Sequence, residues 1–278
     1  MPSILTNTAA MRALREFRKF DKRTSETNDT ISSGKKIKNG KDNAAYYKAG
    51  TTANVQSNAL NAVHDSLQLS INALSVSETT SQKFMHIAKE IQDRVSFATA
   101  IDPDLDTDGR QEIQKEIRGL VLEMRGILDV SSFNGDSFIG TGTAQVITGF
   151  TGGGLGLTPT YMNINRVDLE SIWNNFDALD VNVAGDLSPT LASVEADYKL
   201  SIQHTASLGI ALAGVEEQKD LLRPLSDLIQ SGASALVDAD MEAVAAQKAA
   251  NDVGMQLAIQ SFSLTGPNSQ NLMTLLGG

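Results

Sequence analysis

Apolar residues recur at helical spacing along most of this chain, and the two ends carry the pattern as strongly as the middle. In residues 4–33, Ile4, Met11, Leu14, Phe17 and Ile31 fall on one side, with Arg12, Arg15, Arg18 and Lys19 opposite. Ser32-Ser33-Gly34 closes this first helix, with the glycine placed as its C-terminal cap, and Gly40 marks a second break. From about 44 to 100 a longer helix is predicted. Leu60, Leu67, Leu74, Ser81, Ala88 and Val95 are spaced by seven, and Val63, Ser70, Ser77, Phe84, Ile91 and Ala98 form a companion row. A seven-residue repeat keeps one seam turned toward a partner helix. About 55 residues at ~1.5 Å rise predict a rod of roughly 80 Å, too long for a compact domain.

Pro103 and Gly109 punctuate the next turn, and Asp108 with Gln111 predicts a capping box. The helix it opens runs to about 130 on Ile113, Ile117, Leu120, Met124 and Ile127, as an antiparallel partner for the second. Residues 131–190 change character. Asn134-Gly135 marks a turn, and Gln145–Phe150 and Tyr161–Asp168 read as two short strands around a Gly/Thr-rich tip. Helical spacing resumes near 190 on Val194, Ser201, Leu208, Val215 and Leu222, with Tyr198, Thr205 and Leu212 as a second row. Pro224 predicts a kink or interruption. A last helix starts near Val237–Met241, capped by Asp238 or Asp240, carries Leu257, Phe262 and Leu264, and is weakened at Gly266-Pro267.

The predicted fold class is therefore mainly α: a long antiparallel helical coiled-coil rod built from both termini, with a small β-hairpin insert. Three parts are expected: 1–40 with 240–278 as a terminal coiled-coil domain, 41–140 with 189–239 as a helical rod, and 141–188 as a short insert. Amphipathic helices at both termini, where a lone domain has least to pack against, predict a subunit whose ends are buried by other copies.

Composition narrows the function classes. Aromatics are 5% and charged residues 20%, which suits a thin aliphatic core of helix on helix. The net charge of −10 disfavours nucleic acid as a partner. Residues 1–48 nevertheless hold eleven Lys/Arg against five Asp/Glu, a net of +6, so the remainder carries −16. No aromatic interleaving or reader motif accompanies the basic arm. Without cysteine there is no disulfide, thiolate chemistry or Cys-based metal site. No stretch reaches the roughly 18 apolar residues of a membrane helix, and the N-terminal cations precede no apolar core of a cleaved signal peptide.

Candidate chemistry is sparse. Gly152-Gly153-Gly154-Leu155-Gly156 lacks the Gly-Lys-Ser/Thr ending of a phosphate loop. Asp104, Asp106, Asp108 and Gly109 match positions 1, 3, 5 and 6 of a helix-loop-helix calcium loop, but Lys115 stands where a bidentate Glu belongs. The competing reading is an acidic loop favoured at a helix N-terminus. His64, His86 and His204 have no partner at metal or triad spacing, and no cofactor loop emerges. Nothing here supports an enzyme.

The ends carry a specific likeness. Ile31-Ser32-Ser33-Gly34, Ile37 and Asp42-Asn43-Ala44-Ala45 resemble the N-terminal signature of bacterial flagellins, particularly those of alphaproteobacteria. Phe133-Asn134-Gly135, Val237-Asp238-Ala239-Asp240-Met241 and Gln256–Leu276 resemble further flagellin motifs, in the family's order. The departures are Thr30 in place of a frequent Arg, the cationic Lys35, Lys36, Lys38 and Lys41, and Gly266-Pro267 in place of a softer helical pair.

The resemblance implies a structural subunit that self-polymerises into the flagellar filament for swimming motility, with no cofactor. It implies secretion through the flagellar type III export apparatus with a flagellin chaperone, and filament cap and hook-junction proteins as further partners. Assembly contacts are expected at Ile4, Met11, Leu14, Phe17, Ile31, Leu257, Phe262 and Leu264. One alternative is the hook–filament junction protein, whose family usually has N-P-S-D-D-P where this chain has N-G-K-D-N-A. Another is an intracellular coiled-coil adaptor. The resemblance also places Asp93, Phe97 and Glu116 at three positions contacted by the Toll-like receptor that detects many flagellins. Asp93 and Phe97 replace an Arg and a Leu there.

Overall fold

The computed structural model describes residues 8–101, 107–152, 156–183 and 185–276, and of residues 9, 107 and 265–276 the backbone alone. The elements, in order, are α1 (Thr8–Ser33), α2 (Gly40–Thr99), α3 (Thr107–Asp129), β1 (Thr143–Thr151), β2 (Thr158–Asn165), α4 (Leu169–Asp177), α5 (Ser188–Val237) and α6 (Met241–Leu276). They form two compact units, one from Met1–Asn54 with Ile229–Gly278 and the other from Val55–Leu228. Among the described residues, no helix is long and apolar enough to cross a membrane.

The core of the second unit is the heptad seam. Leu60, Leu67, Leu74, Ser81, Ala88 and Val95 are all buried on α2, as are Val194, Ser201, Leu208, Val215 and Leu222 on α5. The two helices run antiparallel. Ser57 Oγ meets Ser226 Oγ at 2.9 Å, Lys219 Nζ donates to Gln68 Oε1 at 2.6 Å, and Ser81 Oγ meets Thr205 Oγ1 at 2.8 Å. The buried serines of the heptad rows are all hydrogen-bonded: Ser81 across the seam, Ser77 to Ala73 O and Ser201 to Tyr198 O. Their burial therefore leaves no unpaired hydroxyl. α3 closes the core with Ile113, Ile117, Val121 and Met124.

Four details differ from the sequence expectation. Pro224 lies inside a continuous α5. Leu222 and Ser226 on either side of it are buried, and Ser226 Oγ also donates to Ser57 O and Asn61 Oδ1, so packing across the seam outweighs the one backbone bond a proline cannot make. Asp108 lies within the first turn of α3, which begins at Thr107, and not at its cap. Gly266-Pro267 falls within α6, whose backbone stays helical to Leu276.

The fourth difference is in residues 131–190. The hairpin pairs Thr143–Thr151 with Thr158–Asn165, so its second strand ends before Asp168. Asp168 instead caps α4, an element absent from the sequence reading, accepting from Ser171 N at 3.0 Å. Leu169, Ile172 and Phe176 bury one face of α4. Trp173 Nε1 donates to Val121 O at 3.1 Å, and Arg125 lies 5.1 Å over the indole while pairing with Asp129 and Glu170. This stack fixes α4 on α3.

Candidate assembly surface

In the first unit, the segments between α1 and α2 and between α5 and α6 pair with each other. Gly34 adopts φ +67°, ends α1 with its N–H on Thr30 O, and offers its own carbonyl to Ala239 N at 2.9 Å. Lys36 N and Ile37 N both donate to Val237 O, Lys36 Nζ reaches Ala235 O at 3.0 Å, and the backbones of Lys35 and Asp238 pair as a one-residue antiparallel β-bridge. An L side chain in the left-handed conformation of Gly34 costs roughly 1–2 kcal/mol, which gives the signature glycine a physical reason.

The remaining signature residues organise the entry to α2. Asp42 Oδ2 accepts from Lys38 N and Asn39 N at 2.8 and 3.2 Å. Asn43 leaves helical geometry (φ −164°, ψ 107°), and its Oδ1 accepts from Ala45 N and Tyr46 N. It is the true N-cap, so the long helix proper begins at 44. Opposite, Asp240 Oδ1 accepts from Glu242 N and Ala243 N and caps α6, while Asp238 takes part in the backbone bridge with Lys35. Ser33 Oγ turns back to Asp29 O, and Ser32 is exposed. In the other unit Asn134 and Gly135 take φ +52° and +87°, the geometry of a two-residue hairpin turn closed by Phe133 and Asp136.

α1 and α6 lie antiparallel, and they touch through small residues. Ala13 and Ala258 are buried, and Asn251 Nδ2 donates to the buried Thr27 Oγ1 at 3.1 Å. A Cβ at Gly254 would overlap the Phe20 ring, and one at Gly50 would overlap the Val237 side chain. Either substitution to valine is expected to destabilise the first unit by about 1–3 kcal/mol through overpacking. Gly232→Ala, with nothing near the added Cβ, is expected to stabilise by roughly 0.5–1 kcal/mol. Thermal unfolding followed by circular dichroism checks both signs.

Small residues and the Phe20 ring over Gly254 make the contact, and several other large side chains stay outside. Met11, Leu14, Leu257, Phe262 and Leu264 are exposed, with Leu257 at 58%, while Phe17 and Ile31 are half-buried. Ile4 lies outside the described residues, as do Asp104 and Asp106 of the acidic loop; Asp108 is exposed. Among the described residues no group of three or more potential metal ligands comes together. His64 and His86 sit beside Asp65 and Glu90 at the surface, and burial pushes the half-buried His204 below the usual histidine range, against an opposing pull from Asp168. On α2, Asp93 pairs with Lys89 at 2.8 Å and holds it above the usual lysine range, and Phe97 is 62% exposed. Glu116 on α3 binds Arg94 Nε at 3.0 Å.

A second uncovered apolar row was missed in the sequence. Ile210, Leu221, Leu225 and Leu228 on α5 lie outside its buried seam, with Ile210 at 75% exposure. Their spacings of 11, 4 and 3 were the available signal, masked by the stronger heptad row.

These features define a class: a helical structural protein whose exposed apolar rows lie on its outer helix faces. Residues 4–141 match the family model described as the bacterial flagellin N-terminal helical region. A flagellin of Brucella melitensis is 26% identical over 286 residues, covering all of both chains. Flagellin C of Rhizobium meliloti is 25% identical over 323 residues, covering 99% of each, and flagellin D of that species is 34% identical over 139 residues, half of this chain and a third of its own length. The chain belongs to the bacterial flagellin family, on the alphaproteobacterial side.

Proposed function

We propose that this protein polymerises into the flagellar filament as its structural subunit and drives swimming motility by that route. The observation that supports this reading best is the pairing of α1 with α6 through alanine, glycine and threonine, which leaves Met11, Leu14, Leu257 and Leu264 facing outward. An isolated monomer gains nothing from exposed apolar rows of this size, whereas burial of each such side chain between copies contributes about 1.5–3 kcal/mol. The reading includes export without a cleaved signal through the flagellar type III apparatus, escorted by a flagellin chaperone, and contact with cap and hook-junction proteins at the filament's ends. Catalysis has no part in it. The full-length likeness to flagellins of Brucella and Rhizobium supports a filament subunit over a junction protein or an intracellular adaptor. Sedimentation after seeding distinguishes them: filaments pellet, whereas an adaptor or junction protein stops at a small oligomer.

A further inference from the structure

The step Asn-Gly occurs twice, at Asn39-Gly40 and Asn134-Gly135, and all four residues are exposed. Asparagine before glycine is where a chain most readily attacks itself, because no side chain shields the following nitrogen and the backbone turns freely there. The fold treats the two steps differently. Asn134 and Gly135 are the centre of a closed turn, with Phe133 N on Asp136 O at 2.8 Å and Asp136 N on Phe133 O at 2.9 Å. Bringing the Gly135 nitrogen onto the Asn134 carboxamide requires rotation inside that turn and breaks its closure. At Asn39 the carboxamide is already folded back. Its Oδ1 accepts from Lys41 N at 2.9 Å, an Asx turn that lays the side chain over the Asn39–Gly40 peptide. The backbone bonds there are longer, with Asn39 N on Asp42 Oδ2 and Asp42 N on Asn39 O both at 3.2 Å. Among the described residues, neither Gly40 N nor Asn39 Nδ2 has an acceptor.

We infer that Asn39 is a self-modification site, where the side-chain amide is lost through a cyclic imide with Gly40, and that the turn at Asn134 protects the second step. Hydroxide takes the Gly40 N–H proton, and the nitrogen attacks Asn39 Cγ to form a new N–C bond. Charge develops on Oδ1, where the Lys41 N–H already donates. The Cγ–Nδ2 bond breaks, and Nδ2 leaves as ammonia with a proton from water. Water then opens the imide. Opening at Cγ gives an aspartyl product, and opening at the main-chain carbonyl gives an isoaspartyl product. Lys38 and Lys41 flank the step in sequence, and cations favour the deprotonated nitrogen. The one carboxylate in this turn, Asp42, opposes them, but its Oδ2 is shared by Lys38 N and Asn39 N. The isoaspartyl form adds a main-chain carbon between positions 39 and 40. It therefore disrupts the turn that joins the Lys36 and Ile37 contacts with Val237 O to the start of α2. Neither the chemistry nor its test depends on polymerisation.

The full-length monomer is held at mildly alkaline pH, folded in one series and in guanidinium chloride in another. Peptide mass spectrometry locates each lost amide, and methyl transfer by protein-isoaspartate methyltransferase marks isoaspartyl groups. In denaturant both steps are expected to react at comparable rates, since only local sequence acts there. In the folded chain Asn39 is expected to react at least roughly tenfold faster than Asn134, the factor set by two short backbone bonds that Asn134 must give up. Methyl label is expected at position 39. Gly40→Ala places its Cβ where no atom lies within 4 Å, so it leaves the fold intact, and its methyl group shields the attacking nitrogen. Loss at Asn39 is expected to slow severalfold in that variant. Equal rates at the two steps in the folded chain, or faster loss at Asn134, overturn the inference. An unchanged rate at Asn39 in Gly40→Ala overturns the assignment of the Gly40 nitrogen as the attacking group.

Discussion

Deletion of residues 1–40, or of 242–278, abolishes polymer growth and leaves a soluble, helical remainder. The second unit holds its own core in Leu67, Leu74, Phe84, Ile91, Ile117, Met124 and Leu208, all within Val55–Leu228. Neither deletion touches it. The terminal pair is different, because its own contact buries mainly Ala13, Ala258, Thr27 and Asn251. Among the described residues, Met11, Leu14, Leu257 and Phe262 of this pair stay exposed. Taking Met11, Leu14, Val253, Leu257 and Ile259 at ~1.5–3 kcal/mol each, their burial between copies is worth on the order of 10 kcal/mol before ordering costs. Removing one helix strips its partner as well, so either truncation eliminates nearly the whole contribution. Circular dichroism and light scattering give the check: retained helicity with no growth on seeds is expected, and normal growth from either truncation refutes the account.

The second large effect is at the innate receptor. The protein is expected to be at least tenfold weaker than an activating flagellin in a reporter-cell assay with monomeric protein. By the flagellin resemblance, Asp93 is expected at a position where an activating flagellin has an Arg, and its carboxylate is held by Lys89 at 2.8 Å. Loss of a hydrogen-bonded charge partner at a buried interface costs roughly 2–5 kcal/mol, and about 1.4 kcal/mol is already tenfold. Glu116, expected at a third contact by the same resemblance, pairs with Arg94 Nε at 3.0 Å through one of its two oxygens. Phe97 is exposed and differs in shape from the leucine that the resemblance places there. Asp93→Arg with Phe97→Leu is expected to raise the signal. Full activation by the unaltered chain at ordinary concentrations refutes the claim.

The heptads made most of the helical fold legible, because a seven-residue period needs no information from outside the segment. Every position of the Leu60–Val95 row is buried. Pro224 misled because its local cost was weighed without the Ser57–Ser226 contact, made across 169 residues of sequence. α4 was missed for a related reason: nine residues give only Leu169, Ile172 and Phe176, too few to stand out in a glycine- and threonine-rich stretch. At the assembly surface, the signature residues were legible as a motif and opaque as geometry. Nothing periodic says that Gly34 O will meet Ala239 N.

The central claim is that uncovered terminal faces make this chain a filament subunit. Electron microscopy of the purified full-length protein, incubated with sheared filament seeds, tests it most directly. The account predicts long filaments of uniform width growing from the seeds. A field of discrete particles of one to a few copies, at concentrations where seeded flagellins grow, contradicts it.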